Sequence, residues 1–186
     1  LHRKPAFMRE NGDKPANEIG TLYHTVMSEI DLDKLRAEGA ECVDTELARL
    51  VEEEKIAAED IKYIDADRIK RFAESDLCRR MLRSGEVYRE APFQINIPAT
   101  MYDPTLPVSY AGETVILQGI IDCFFKEGDG YVLVDYKTDH VTNSGAAAVR
   151  ARYEKQLELY TRAIEKLKGH KVKEGMLYLF DTGETV

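Results

Sequence analysis

The chain has 186 residues, 44% of them hydrophobic and 32% charged, with 34 acidic against 26 basic side chains and a formal net charge of −8. That length supports one domain with a real core, and no apolar run is long enough to span a membrane. The acidic balance excludes a free-standing, high-affinity nucleic-acid binder, whose affinity would come from a basic surface, but not a protein to which another module delivers nucleic acid.

The sequence begins at Leu1 rather than a methionine, and we expect it to be a piece of a longer chain. No signal peptide is visible. Cys42, Cys78 and Cys123 are odd in number and far apart, without the close spacing of zinc or iron–sulfur ligands. Such usage points to a reducing cytoplasm.

Residues 1–17 are polar and carry Pro5, Gly12 and Pro15, which reads as an extended lead-in to a single domain over residues 18–186. Ile19, Leu22, Tyr23, Val26 and Ile30 then share one helical face, with Thr21 as candidate N-cap. His24 lies off this stripe. Alone it is an ordinary surface histidine; beside carboxylates a neutral imidazole is a metal ligand. Asp31 to Arg83 reads as helical throughout. Asp65 or Asp67 caps a helix carrying Ile69 and Phe72, and Ser75 or Asp76 starts another carrying Leu77, Cys78, Met81 and Leu82. Arg68, Lys70, Arg71, Arg79, Arg80 and Arg83 cluster here, either as solvated helix faces or as a track for a phosphate backbone.

Gly85 ends the helical region. Phe93, Ile95 and Ile97 alternate in a strand that runs up to Pro98. Glu90 sits near its start, as a salt-bridge partner of Arg89 or a neighbour, or as an acidic member of a site. A loop with Pro104 and Pro107 follows.

The stretch from Val115 to His140 carries the strongest pattern. Two runs rich in β-branched and aromatic residues flank Lys126-Glu127-Gly128-Asp129-Gly130, which predicts a β-hairpin. Both runs are nearly continuous in apolar residues, so both strands are expected to be covered on two faces. Yet each contains a carboxylate, Asp122 or Asp135, and a buried charge is costly unless it is paired or binds a metal. Lys137 follows Asp135 by two residues and shares its face of the strand. Asp-x-Lys alone is weak, since Asp60-Ile61-Lys62 repeats it in charged, helix-like surroundings. In a buried strand it presents carboxylates for a hard cation and an ammonium for a phosphate.

Residues 142–145 read as a cap or turn, and Ala146 to Lys168 as a helix closed by Gly169. Tyr153, Leu157, Tyr160, Ile164 and Leu167 form its core stripe, and Gln156 projects with Tyr160 one turn away. Either the two belong to packing or they reach the charged end of the hairpin. A last strand covers Glu174 to Asp181. The order of helices, strand, hairpin, helix and strand predicts an α/β (α+β) domain with a mixed central sheet, flanking helices and an N-terminal helical region.

Asp122 and Asp135-Tyr136-Lys137 resemble the core of the PD-(D/E)xK nuclease superfamily. Gly20-Thr21-Leu22-Tyr23-His24, Arg89-Glu90-Ala91-Pro92-Phe93 and the Gln156 to Tyr160 Gln-x-x-x-Tyr helix are similar to motifs of its RecB-type branch. Within that branch, Gln118-Gly119-Ile120-Ile121-Asp122 and Val134 to Asp139 look most like AddA-type nuclease domains of bacterial helicase–nucleases. The resemblance runs from about Phe7 to Phe180 and implies a restriction-endonuclease-like fold. It further implies that His24, Asp122, Asp135 and the backbone carbonyl of Tyr136 bind magnesium or manganese. Lys137 then orients water and stabilises phosphate charge. Gln156 and Tyr160 position Lys137, water or DNA, and Glu90 joins the catalytic set. The AddB-type partner protein carries four cysteines for an iron–sulfur cluster; this chain lacks that arrangement, so no cluster is expected. Upstream helicase domains of the same chain would use ATP and feed single-stranded DNA, in a bacterial cytoplasmic complex without membrane contact. A catalytically silent copy of the fold, for DNA positioning or docking, is the alternative, and a stand-alone restriction-like or Cas4-like nuclease a second.

Overall fold

The computed structural model describes residues 14–142 and 145–186. Residues 1–13 of the expected lead-in, and Asn143 and Ser144 of the expected cap, lie outside the described residues. Seven α-helices and five strands are assigned among the described residues. The N-terminal half holds helices α1 (Ala16–Glu29), α2 (Leu32–Glu38), α3 (Val43–Glu52), α4 (Ala66–Glu74) and α5 (Asp76–Arg83). Strand β1 (Val87–Pro98) leads through the short helix α6 (Ala99–Tyr102) to the hairpin β2 (Thr114–Glu127) and β3 (Gly130–Lys137). Helix α7 (Gly145–Lys168) crosses to β4 (Val172–Leu179), and β5 (Glu184–Thr185) closes the edge. The strands lie in chain order, antiparallel except for the parallel pair β3 and β4 that α7 connects. The fold is the mixed α/β sheet flanked by helices that the element order predicts.

The seven residues from Gly130 to Tyr136 of β3 are all buried, because both faces of this central strand are covered. Val132, Val134 and Tyr136 point into the layer made with α1–α5, against Phe72, Met81 and Phe180. Tyr131 and Leu133 point the other way, toward Leu157 and Ile164 of α7. Period two thus sends Asp135 and Lys137 to the α7 side.

Several local expectations need correction. Helix α1 starts at Ala16, within the expected lead-in, and Thr21 is no N-cap: its hydroxyl donates to the Asn17 carbonyl one turn back, at 3.1 Å. The true caps are Asp31 for α2, Asp65 for α4 and Ser75 for α5, each accepting from first-turn amides. The helical region is interrupted after α3. There Lys55 N bonds Leu50 O and Glu54 N bonds Val51 O, and Glu54 takes the left-handed conformation at φ 57°. This pair of bonds ends a helix even without glycine, and it drives Ile56 into the core at 1% exposure.

Strand β2 is covered only in part. It pairs with β1 from Thr114 to Phe125 but with β3 only from Cys123 onward. Its first half is therefore a two-stranded ribbon with one open face, and Ile116 and Ile120 are 64% and 51% exposed. In α7, Leu167 leaves the expected stripe, being 53% exposed. The next residue, Lys168, takes that position with its ammonium 3.6 Å from the Tyr88 ring centre. Gly169 closes α7 at φ 69°, as its position predicts. The last long strand is shifted toward the N-terminus, to Val172–Leu179.

Candidate metal and phosphodiester site

The site lies where β2 and β3 part. Their last rung joins Cys123 to Val134, so the Tyr136 amide beyond it has no strand partner on that side. Asp122 supplies one: its Oδ2 accepts from Tyr136 N at 2.9 Å. A residue in a strand turns its N–H and C=O to the same edge, so the Tyr136 carbonyl also faces the Asp122 side. The next residue bonds the opposite way, Lys137 O accepting from Phe180 N at 2.9 Å.

Helix α1 brings the imidazole. A Cβ on Gly20 would stand 3.1 Å from Thr138 Oγ1, so glycine lets the helix pass close to the chain leaving β3. One turn later, His24 Nδ1 lies 3.3 Å from Asp122 Oδ1. Burial disfavours the charged imidazole, but the hydrogen bond and charge of Asp122 outweigh it and hold His24 above its ordinary pKa. From β1, Glu90 completes the group. It interrupts the β1–β2 ladder between the Arg89–Cys123 and Ala91–Ile121 pairs, at a φ of 45°. Strain of this kind in a non-glycine residue re-aims a side chain. Ligand atoms of His24, Glu90 and Asp122 lie within 4.8 Å of one another. Partial burial, then the like charge of Asp122, pushes the Glu90 carboxyl up. The expected salt bridge does not use Arg89, which donates to the carbonyls of Met27 and Ile30 at 3.2 and 2.6 Å.

Asp135 is 1% exposed. Burial, reinforced by the Asp122 charge and opposed by Lys137, holds its carboxyl well above the usual carboxylate range. Lys137 Nζ stands 2.6 Å from Asp135 Oδ2, an oxygen with no hydrogen-bond partner beyond that ion pair. Crowded carboxylates, one of them buried with the Lys137 ion pair as the sole partner of its Oδ2, plus an imidazole nitrogen, are a donor set that fits a hard divalent cation. The structure thus gathers His24, Glu90 and Asp122 most tightly, and sets Asp135 beside Lys137.

On α7, Gln156 Nε2 donates to the Tyr160 hydroxyl at 3.0 Å, and Tyr160 packs edge-on against Phe93. Burial, then the charges of Asp135, Asp122 and Glu90, raises the Tyr160 phenol, against the Gln156 bond, which places its ring in the field of the acidic group. Sequence reasoning put Tyr153 in the packing stripe, yet its ring centre lies 4.3 Å from Lys137 Nζ. The spacing 153, 156, 160 on one helix face was the available signal. The basic cluster is largely neutralised: Arg68 pairs with Asp181, Lys70 with Asp44, Arg79 with Asp76, and Arg80 with Glu127 and Glu174. That is the pattern of ion-paired helix faces rather than of a phosphate track. Cys42, Cys78 and Cys123 are buried in the core beneath the N-terminal helices. No described helix is long and apolar enough to cross a membrane.

The model of the PD-(D/E)XK nuclease superfamily matches residues 2–185. The chain is similar to AddA, the ATP-dependent helicase/nuclease subunit of that name, from Acetivibrio thermocellus, 40% identical over 184 residues, or 98% of this chain and 14% of that protein. It is also similar to AddA of Thermoanaerobacter sp. strain X514, 40% identical over 182 residues, and of Clostridium botulinum strain Loch Maree, 41% over 179 residues. These alignments cover 97% and 96% of this chain, and the chain spans about 14% of the length of each relative. With a mixed sheet flanked by helices and a family match over nearly all of its length, the chain belongs to the PD-(D/E)XK nuclease superfamily.

Proposed function

We propose that residues 18–186 form one RecB-type nuclease domain that hydrolyses phosphodiester bonds of single-stranded DNA as an exonuclease, with magnesium or manganese. The observation that carries this reading is the placement of Lys137 2.6 Å from the buried, otherwise unpartnered Oδ2 of Asp135. His24, Glu90, Asp122, Asp135 and the Tyr136 carbonyl would hold the cation. When bound, such an ion neutralises the scissile phosphate and acidifies a water. Asp122 keeps the Tyr136 peptide oriented through its amide bond. Lys137 stabilises negative charge developing on a phosphate oxygen and helps orient the attacking water. Gln156 and Tyr160, hydrogen-bonded to each other, position the DNA backbone or the water.

The relatives are helicase/nuclease proteins about seven times longer, since this chain spans about 14% of them. We therefore place upstream helicase domains in the same chain, using ATP to deliver the strand, and an AddB-type partner protein beside them, in bacterial cytoplasmic double-strand-break repair. Delivery by a motor accounts for a net charge of −8 on a protein that acts on DNA. The test is degradation of end-labelled single-stranded DNA with magnesium or manganese, beside Asp135→Ala and Lys137→Ala. Cleavage that both substitutions abolish, with folding intact, is the expected result. A parent that neither cleaves nor binds either cation by calorimetry would move the assignment to a silent, DNA-positioning copy of the fold.

A further inference from the structure

Lys137 has a second partner. Its side chain is 13% exposed, with Asp135 Oδ2 on one side at 2.6 Å and the face of Tyr153 on another at 4.3 Å. The Tyr153 ring is itself fixed. Its hydroxyl donates to both oxygens of Asp139, at 3.1 and 3.0 Å, and Arg152 holds Asp139 Oδ1 at 2.7 Å. Burial and the Asp139 carboxylate keep the phenol protonated, so the hydroxyl is the donor. A phenol that donates to a carboxylate has an electron-richer ring and holds a cation better. A divalent ion held by Asp135 would compete with the lysine ammonium for that carboxylate. An ammonium released from Asp135 then needs a support that is not an anion.

We propose that Tyr153, tethered by Asp139 and Arg152, is a positioning residue that holds the Lys137 ammonium on its ring when Asp135 turns to a bound cation. This rests on the nuclease reading for its purpose, but not for its test. Tyr153 precedes Gln156 and Tyr160 on one face of α7, so a single helix carries all three. The ring sets the direction of Nζ, and the anchor on Asp139, two residues beyond Lys137, couples that direction to the chain leaving β3.

The test uses the whole 186-residue chain with Tyr153→Leu, Tyr153→Phe and Asp139→Asn. Carbon–proton NMR of the Lys137 ε-methylene reads the ring current directly. Its protons are expected upfield of ordinary lysines, to remain there on adding magnesium, to return to the ordinary position in Tyr153→Leu and to lie between the two in Tyr153→Phe, which keeps the ring but loses the tether. On single-stranded DNA, Tyr153→Leu should lower kcat about tenfold with KM changed less than about twofold, and Tyr153→Phe should recover only part of the loss. An ordinary ε-methylene position in the magnesium-loaded parent, or an undiminished kcat in a folded Tyr153→Leu chain, overturns the proposal. If Tyr153→Leu does not fold, Asp139→Asn decides, because a loosened ring must reduce the upfield displacement and an unchanged one refutes the tether. A parent that neither cleaves DNA nor binds either cation refutes the proposed function instead, and the Lys137 spectrum still decides this inference.

Discussion

Glu46 offers a sharp test of how the helical layer is held. It is 1% exposed in α3, and its carboxylate accepts from Arg49 at 2.7 Å, from Lys34 Nζ at 2.8 Å and from the Asp31 amide at 2.9 Å. Arg49 also donates to the Glu29 carbonyl at 2.9 Å, so the cluster ties together the end of α1, the start of α2 and α3. The Arg49 hydrogen bonds, opposed by burial and aided by Lys34 and Asp31, hold the Glu46 carboxyl down from 4.5 to about 2. At about 1.4 kcal/mol per tenfold in proton affinity, this corresponds to about 3 kcal/mol. The Arg49 and Lys34 side chains are 26% and 44% exposed, and screening trims the figure to about 2–3 kcal/mol. A carboxyl with a depressed pKa contributes stability above its unfolded pKa and loses it as pH falls through the folded one. The contribution should be complete above about pH 5 and gone by about pH 2. Glu46→Gln should therefore be less stable than the parent by about 2–3 kcal/mol near pH 7, with the gap closing as the pH approaches 2. Urea unfolding followed by circular dichroism from about pH 7 to about pH 3 measures the gap directly. A gap that stays constant across that range would refute the ionic account and leave only the shape of the side chain.

Four further outcomes are expected. Phe72 is 1% exposed and stacks edge-on against Tyr136 and Tyr178 at 5.6 and 4.8 Å, so Phe72→Ala should cost about 3–5 kcal/mol in urea unfolding, and a loss under about 1 kcal/mol would contradict this packing. Glu54 holds a left-handed φ of 57° with its side chain exposed, so Glu54→Gly should raise stability by about 0.5–1 kcal/mol, read as a higher Tm. A Cβ on Gly119 would stand 3.0 Å from the Phe93 ring, so Gly119→Val should destabilise by about 1–3 kcal/mol; an unchanged urea midpoint would show that the ribbon yields freely. Asp122→Asn removes a charge from the cation site while keeping an acceptor for Tyr136 N, so magnesium binding by calorimetry should weaken and cleavage fall by a factor on the order of 100 or more with Tm little changed.

Much of this architecture was legible in residue patterns, for identifiable reasons. The hairpin announced itself because β-branched and aromatic runs meet at Gly128, and Asp135 and Lys137 stood out because charge inside such a run demands a partner. The cap of α4 or α5 could be narrowed to adjacent polar residues, since Asp65 and Asp67, or Ser75 and Asp76, have the same local chemistry. Other features were hidden because they depend on what lies opposite. Ile116 and Ile120 have the composition of core residues, yet β3 stops short of them. Leu167 fits the α7 stripe, yet Lys168 fills its place over Tyr88.

The amino-acid order settled the local terms: which segments repeat with helical or strand period, where a glycine allows a turn, and which strand carries buried charge. These follow from backbone sterics and from neighbours a few residues away. Proximity across the chain was settled only by packing. The close pass of α1 at Gly20 brings His24 to Asp122, the early parting of β2 from β3 turns Asp122 onto the Tyr136 amide, and the positive φ of Glu90 adds a third ligand atom. Likewise the seating of α7 on the sheet puts Tyr153 against Lys137. No local rule contains such pairings, because each depends on how two separately stable surfaces come to rest on one another.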